Sequence, residues 1–255
     1  VFTSFSASAE YLRATGKDEL VLVSVEKEIA MGRSIARGAE ERFGLYPDNE
    51  LQEKVAEIGQ RLAEVSDRPS LIYSFKVLYG EDLEKDARIN AFAAPGGYIY
   101  IFKDMVDFLG SDEALAAVLA HEIAHICAKD GVLKLQGSMS TLGLKILAIA
   151  AKPDRESYMK SQIAIAELMM QYNREAETRA DERSVEYMSR AGYDPEAAIT
   201  FMEKMLDKKM NDPVRRYHYF RSHPYISERI SSLKRAARGV MDFDDYINMQ
   251  VDAGL

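Results

Sequence analysis

Apolar positions recur along this chain with periods that change from helical to extended and back again. Val25, Ile29, Ala36, Ala39 and Phe43 fall on one helical face, and Gly44 ends the run. Leu51, Val55, Ile58, Leu62 and Val65 mark a second helix, opened by Pro47-Asp48 and closed before Pro69. The period then drops to two. Tyr73, Phe75, Val77 and Tyr79 alternate with polar residues, which predicts a strand within Leu71–Tyr79. Ala91–Ala94 and Tyr98–Phe102 flank Pro95-Gly96-Gly97, a turn signal that predicts an antiparallel hairpin.

Beyond Ser111 the pattern reads as helical throughout. Ser111 is a suitable N-cap, and Asp112 and Glu113 place negative charge in the first turn. Leu115, Val118, Leu119, Ile123 and Ile126 supply the apolar side, with Lys129 and Gly131 as stop signals, so the helix is expected over about 111–130. A further helix is expected from about Ser157 to Arg190, closing at Gly192. The layout predicts an α+β fold, mostly helical, with a small antiparallel sheet beside the helix at 111–130. It divides into N-terminal helices over about 1–66, a sheet over about 70–102 and a C-terminal helical part over about 155–255, within a single domain.

Composition narrows the class without naming it. The chain has 255 residues, 47% hydrophobic and 29% charged, which suits one globular domain with a sizeable core. A net charge of −8 and the lack of a basic block argue against a nucleic-acid partner. The single cysteine, Cys127, excludes an intrachain disulfide framework. No stretch approaches the roughly 18 apolar residues of a membrane span, since Leu133–Ala151 is interrupted by Lys134, Gln136 and Lys145. The start at Val1, with no charged-then-apolar leader after it, is read as a removed leader or a trimmed end.

Chemistry concentrates in His121-Glu122-Ile123-Ala124-His125, which holds two of the four histidines. Residues four apart share a helical face, so both imidazoles can reach one ion, while Glu122 lies about 100° round the helix beside it. That is the H-E-x-x-H arrangement of zinc peptidases, in which the glutamate takes a proton from water. Cys127 falls roughly 200° round from His125 and is expected to be a small buried hydrophobe. A catalytic zinc needs a third protein ligand. No third histidine follows, because Ala128 and Gly131 stand at the positions of a longer histidine motif. The candidate stretch is Asn173–Asp181, where Glu177 and Asp181 share a face and either can bind the metal while the other supports a histidine. Glu175 lies roughly opposite and can pair with Arg179; a merely solvated charge run is the alternative.

Four motifs in order resemble the metallopeptidase family that includes HtpX and the CAAX prenyl endopeptidases, over about Met31 to Leu233. They are the His121–His125 pentapeptide, Arg174–Asp181, the hairpin segment Asn90–Phe102, and Ser222-His223-Pro224 with Arg229. The resemblance is to the soluble periplasmic, BepA-like branch of these gluzincin-type enzymes, and it implies one Zn²⁺ per chain with Glu177 as third ligand and Asp181 behind the ligands. It further implies that His223 and Arg229 stand near the substrate carbonyl, and that Asn90, Ala91, Phe92, Ala93, Gly97 and Tyr98 bind the substrate as an added strand. Polypeptide substrates, extended or misfolded, a periplasmic location and a role in protein quality control follow as expectations. The competing function is a zinc-binding or chaperone-like module that has lost turnover. Arg229 could instead form a surface ion pair and His223 serve as a turn residue, while His218 in its aromatic cluster reads as a packing residue. His223, itself a good zinc ligand, is also expected to occupy the fourth metal position at rest.

Overall fold

The structure, a computed structural model, describes residues 8–137, 165, 172–211 and 219–252. It opens on a hairpin, β1 (Ser8–Leu12) and β2 (Lys17–Val21), where helices were expected from the first residues onward. Glu10 and Glu19 face each other across it, and Glu10 turns to a buried lysine, so charged residues hide the alternation that would have marked the strands. Helix α1 (Val25–Phe43) starts where the Ser24 side chain accepts from the Lys27 amide, and it ends at Gly44 with φ of 68°. Its buried stripe is Met31, Ile35, Ala36, Ala39 and Phe43, while Val25, expected inside, is 40% exposed. Helix α2 (Asn49–Glu64) is capped by Asp48 and buries Val55, Ile58 and Leu62 as its spacing requires.

The sheet has the order β3-β5-β4, with β3 (Ser74–Leu78) parallel to β5 (Tyr98–Phe102) and β4 (Ala91–Ala94) antiparallel to it. The hairpin is antiparallel as expected; the parallel partner arrives because the chain from β3 crosses over before β4. Alternation sorts the side chains into two cores. Phe75, Val77, Ala91, Ala93, Ile99 and Ile101 join α2 and the central helix, whereas Leu78, Phe92, Ala94, Tyr100 and Phe102 join α1. The sheet is therefore a middle layer, and β4 is an edge strand buried on both faces.

After α3 (Lys103–Leu109), helix α4 (Asp112–Cys127) is capped by Ser111, whose side chain accepts from Ala114. Every residue from Leu115 to Cys127 is buried. A helix apolar on all sides sits at the centre of its fold, and this one packs against α2, the sheet, α6 (Arg174–Arg190) and α7 (Glu196–Asn211). It ends three residues earlier than the glycine rule suggested. Lys129, not Gly131, takes the left-handed conformation, with φ of 55°, and Gly131 lies inside α5 (Asp130–Gly137). The long helix expected from about Ser157 to Arg190 is not continuous: Ile165 is helical, Tyr172 and Asn173 are not, and α6 starts at Arg174, where extended Asn173 caps it and accepts from the Ala176 amide. The start of that expected helix, and most of Leu133–Ala151, lie outside the described residues. The chain closes with a short turn α8 (Tyr219–Ser222) and α9 (Ile226–Asp252). Among the described residues no helix is long and apolar enough to cross a membrane.

Helix α1 meets the hairpin turn through Gly32, where an added Cβ would lie 1.7 Å from the Pro95 carbonyl oxygen. In an open helix Gly→Ala stabilises by about 1 kcal/mol. Here Gly32→Ala should instead destabilise by about 1–3 kcal/mol through overpacking. Urea unfolding checks the sign; a stabilised variant would show that α1 and the turn are not in contact.

Candidate metal centre

Helix α4 carries His121, Glu122 and His125 on its inner side, and α6 crosses it with Glu177 and Asp181. The third contribution comes from the corner after α8, where the His223 amide donates to the Tyr219 carbonyl at 2.8 Å. Arg229 follows on the first turn of α9. All seven side chains are at most 3% exposed. Among the described residues, His121, His125, Glu177 and His223 each offer one ligand atom, and the four atoms lie within 4.8 Å of one another.

Electron-pair accounting shows what such a cluster accepts. Nδ1 of His121 is 3.1 Å from Asp181 Oδ1, and Nδ1 of His125 is 2.8 Å from Asp130 Oδ2. A proton on each Nδ1, donated to its aspartate, leaves both Nε2 lone pairs facing inward. Those two nitrogens are 3.1 Å apart, and the Glu177 oxygens lie 3.5 Å from one and 3.6 Å from the other. Three acceptors crowd one point, where His223 Nδ1 at 3.3 Å and Arg229 Nη2 at 3.4 Å reach His121 Nε2, and a cation there would join them. Imidazole nitrogens with one carboxylate form a donor set suited to a divalent transition metal. The residues fit the group.

The charges around this point are strongly coupled. Arg229 spreads its fork over Asp181, Nε to Oδ2 at 2.8 Å and Nη2 to Oδ1 at 2.7 Å, and its Nη1 lies 2.9 Å from Glu177 Oε2. Burial works against ionised Glu177, but His223 and Arg229 outweigh it and hold the carboxyl well below its usual range. Asp181 is lowered for the same reason, with Arg229 overcoming the cost of burial. Set by the protein's own groups alone, His223 is pushed up to about 9, since Glu177 and Glu122 override its burial. Its Nδ1 is 3.1 Å from Glu177 Oε1 and its Nε2 is 3.3 Å from Glu122 Oε1. Glu122 Oε1 has no aligned hydrogen-bond donor among the described residues. Its carboxyl is lowered by His223 and the two imidazoles against the opposing effect of burial.

Glu175 lies outside the cluster and pairs with Lys17 at 2.8 Å, while Arg179 bonds Asp130 rather than Glu175. Asp181 touches His121, and Arg229 is buried among carboxylates rather than in a surface pair. Cys127 is buried, with its Sγ 3.6 Å from the Tyr73 hydroxyl. His218 lies outside the described residues. Asn90 is fully buried and accepts from Ser222 Oγ at 3.3 Å, which ties the hairpin to the residue before His223. Its Nδ2 has no partner among the described residues. Ala91, Phe92 and Ala93 lie on β4, and Gly97 and Tyr98 sit at the turn and the start of β5. Among the described residues, no strand pairs with β4's outer edge. Two neighbours of the cluster carried no signal in the sequence. Tyr172 stacks on His125 with centroids 4.3 Å apart, and Asp130 reaches back to the same imidazole.

A helix-borne imidazole pair, an adjacent glutamate and a distant carboxylate, converging as acceptors on one buried point, define a metalloprotease. The sequence profile of peptidase family M48 matches residues 49–237, and the chain belongs to that family. It is similar to the beta-barrel assembly-enhancing protease of Escherichia coli (strain K12), 24% identical over 246 residues, covering 93% of this chain and 49% of that protein. It is also similar to the mitochondrial metalloendopeptidase OMA1 of Schizosaccharomyces pombe, 29% identical over 180 residues, covering 71% and 51%. The OMA1 of Saccharomyces cerevisiae is 27% identical over 233 residues, covering 86% and 66%. The chain spans about half the length of the first two.

Arg229→Met keeps much of the side-chain volume but leaves two buried carboxylates without their cation. Removing one partner of a buried pair costs about 3–5 kcal/mol. The metal-free variant should therefore unfold well below the metal-free wild type in a thermal scan. Equal midpoints would mean that Glu177 and Asp181 are neutralised by other groups.

Proposed function

We propose that this chain is a zinc-dependent endopeptidase that hydrolyses peptide bonds in extended or misfolded polypeptides, with one zinc held by His121, His125 and Glu177. The observation that carries the reading is the convergence of His121 Nε2, His125 Nε2 and the Glu177 carboxylate beside Glu122, whose Oε1 has no aligned hydrogen-bond donor among the described residues and lies 3.3 Å from His223 Nε2. Zinc bound there supplies Lewis acidity to a water molecule and to the peptide carbonyl. Glu122 accepts the proton released as water attacks, then delivers it to the leaving amine. Asp181 orients His121, and Arg229 holds Asp181 and Glu177 in place. His223, and Arg229 as far as its carboxylate contacts allow, lend positive charge to the developing oxyanion. The outer edge of β4 receives substrate as an added strand, with Asn90, Ala91, Phe92, Ala93, Gly97 and Tyr98 along it; backbone pairing of that kind selects extended chains over particular side chains. All of this belongs to one catalytic domain. A periplasmic setting and a quality-control role fit the family resemblance and the relative named for beta-barrel assembly.

Glu122→Gln should retain wild-type zinc content while casein hydrolysis falls at least about 10²-fold, and Glu177→Ala should lose zinc. Casein cleavage by the wild type that survives chelation, or full activity in zinc-replete Glu122→Gln, would overturn the reading. A zinc-loaded chain with no cleavage at all would favour the binding-module alternative.

His223 restrains this activity. Its Nδ1 lies 3.3 Å from His121 Nε2 and 3.1 Å from Glu177 Oε1, close enough to take the fourth ligand position and exclude substrate until the corner swings away. A zinc-loaded, substrate-free structure should show His223 within ligand distance of the ion. A water in its place, with His223 remote, would leave it only a transition-state role.

A further inference from the structure

We infer that Asp130 is a positioning residue for His125, delivered by the α4–α5 corner and anchored by Arg179, so that each imidazole has its own aspartate–arginine support. On the His121 side the chain of contacts runs from Nδ1 to Asp181 to Arg229. On the His125 side, Nδ1 is 2.8 Å from Asp130 Oδ2, and Asp130 Oδ1 accepts from Arg179 Nη2 at 2.5 Å. Helix α6 thus supplies Glu177, the Asp181 support and the Arg179 anchor within two turns.

The corner is built for this contact. A residue five positions beyond His125 on a continuing helix would point to another face, about 140° away. Here α4 stops at Cys127, and Lys129 adopts φ of 55°, which reverses the chain and brings Asp130 back under His125. A lysine in the left-handed region costs about 1–2 kcal/mol relative to ordinary helical backbone. Glycine would avoid that cost, but only a long cation makes the contacts seen. Lys129 is 2% exposed, with Nζ 2.7 Å from Glu10 and 3.5 Å from Glu28. Glu28 is in turn gripped by both arms of Arg68, which also donates to the Ile126 carbonyl at the end of α4. The strained corner is pinned from β1, α1 and the loop after α2, and its product is one oriented carboxylate.

Partners that fix a ligand histidine's tautomer raise metal affinity by about 10–100-fold. The inference rests on the zinc reading above, and the experiment separates the two. Zinc affinity of the full chain is measured by competition with a chromophoric chelator for wild type, Asp130→Ala, Asp130→Asn and Arg179→Met. Thermal unfolding of the metal-free proteins is followed alongside. Asp130→Ala should bind zinc about 10–100-fold more weakly. Asp130→Asn, which still accepts from Nδ1 without the charge, should fall between it and the wild type. Arg179→Met should also weaken zinc, and less so once Asp130 is already removed. A purely structural role would lower the metal-free midpoint and leave the affinity of the folded variants unchanged. Wild-type affinity in Asp130→Ala overturns the inference; if that variant does not fold, wild-type affinity in Asp130→Asn does so. A wild type that binds no zinc would instead sink the zinc reading itself.

Discussion

With a proton on each Nδ1, the Nε2 atoms of His121 and His125, 3.1 Å apart, present lone pairs to each other and repel. Left to relax, one ring would turn or take a proton. The rings stay because each Nδ1 is held by a carboxylate and each carboxylate by a guanidinium, and those six groups come from three helices and the α4–α5 corner. Much of the architecture serves that constraint. Helix α4 is buried on every side so that its inner face cannot rotate towards water. Helix α6 lies across it because a single helix must bring Glu177, Arg179 and Asp181 to both ends of the pair.

The sheet's place follows from the same requirement. As a middle layer between α1 and the α2–α4 side, it presents β4 as an edge whose faces are covered and whose outer backbone pairs with no strand among the described residues. Ser222 to Asn90 links that edge to the His223 corner, while Glu28 accepts from the Gly96 amide and clamps the turn to the Arg68–Lys129 cluster. Strand β4, Glu122 and the imidazole cluster thereby share one frame, the condition under which small displacements of their atoms are avoided.

Legibility in the sequence tracked how local each device is. H-E-x-x-H announces itself because its meaning lies within four residues of helix, whereas the spacing of Glu177 and Asp181 left open which of them faces the imidazoles, and only the family resemblance chose Glu177. The helices with caps, α2 and α4, began where Asp48 and Ser111 said they would. What could not be read depended on contacts distant in sequence. The stop at Cys127 follows from Lys129 reaching Glu10 and Glu28, so the glycine rule misplaced the end. Hairpin β1–β2 was hidden because its inner face carries charge for Lys129. Arg229 was placed by the family resemblance near the substrate carbonyl, with an ion pair as the alternative, and nothing nearby in the sequence revealed that two carboxylates of α6 meet its fork. Asp130 looked like the tail of a helix, and only the reversal of the chain turned it into a partner of His125.

Charge balance ties these details together. With the imidazoles neutral, the carboxylates of Glu122, Glu177, Asp181 and Asp130 face Arg229 and Arg179 among the described residues, an excess of two negative charges within that set. Lys129 does not redress it, because Glu10 and Glu28 already take its charge. A proton on His223 offsets one of the two, which is why the surrounding carboxylates lift that imidazole to about 9. A divalent ion offsets both. His223 can hold that proton or donate its lone pair, not both at once, so binding of the ion and the state of His223 are linked by the same electrostatics.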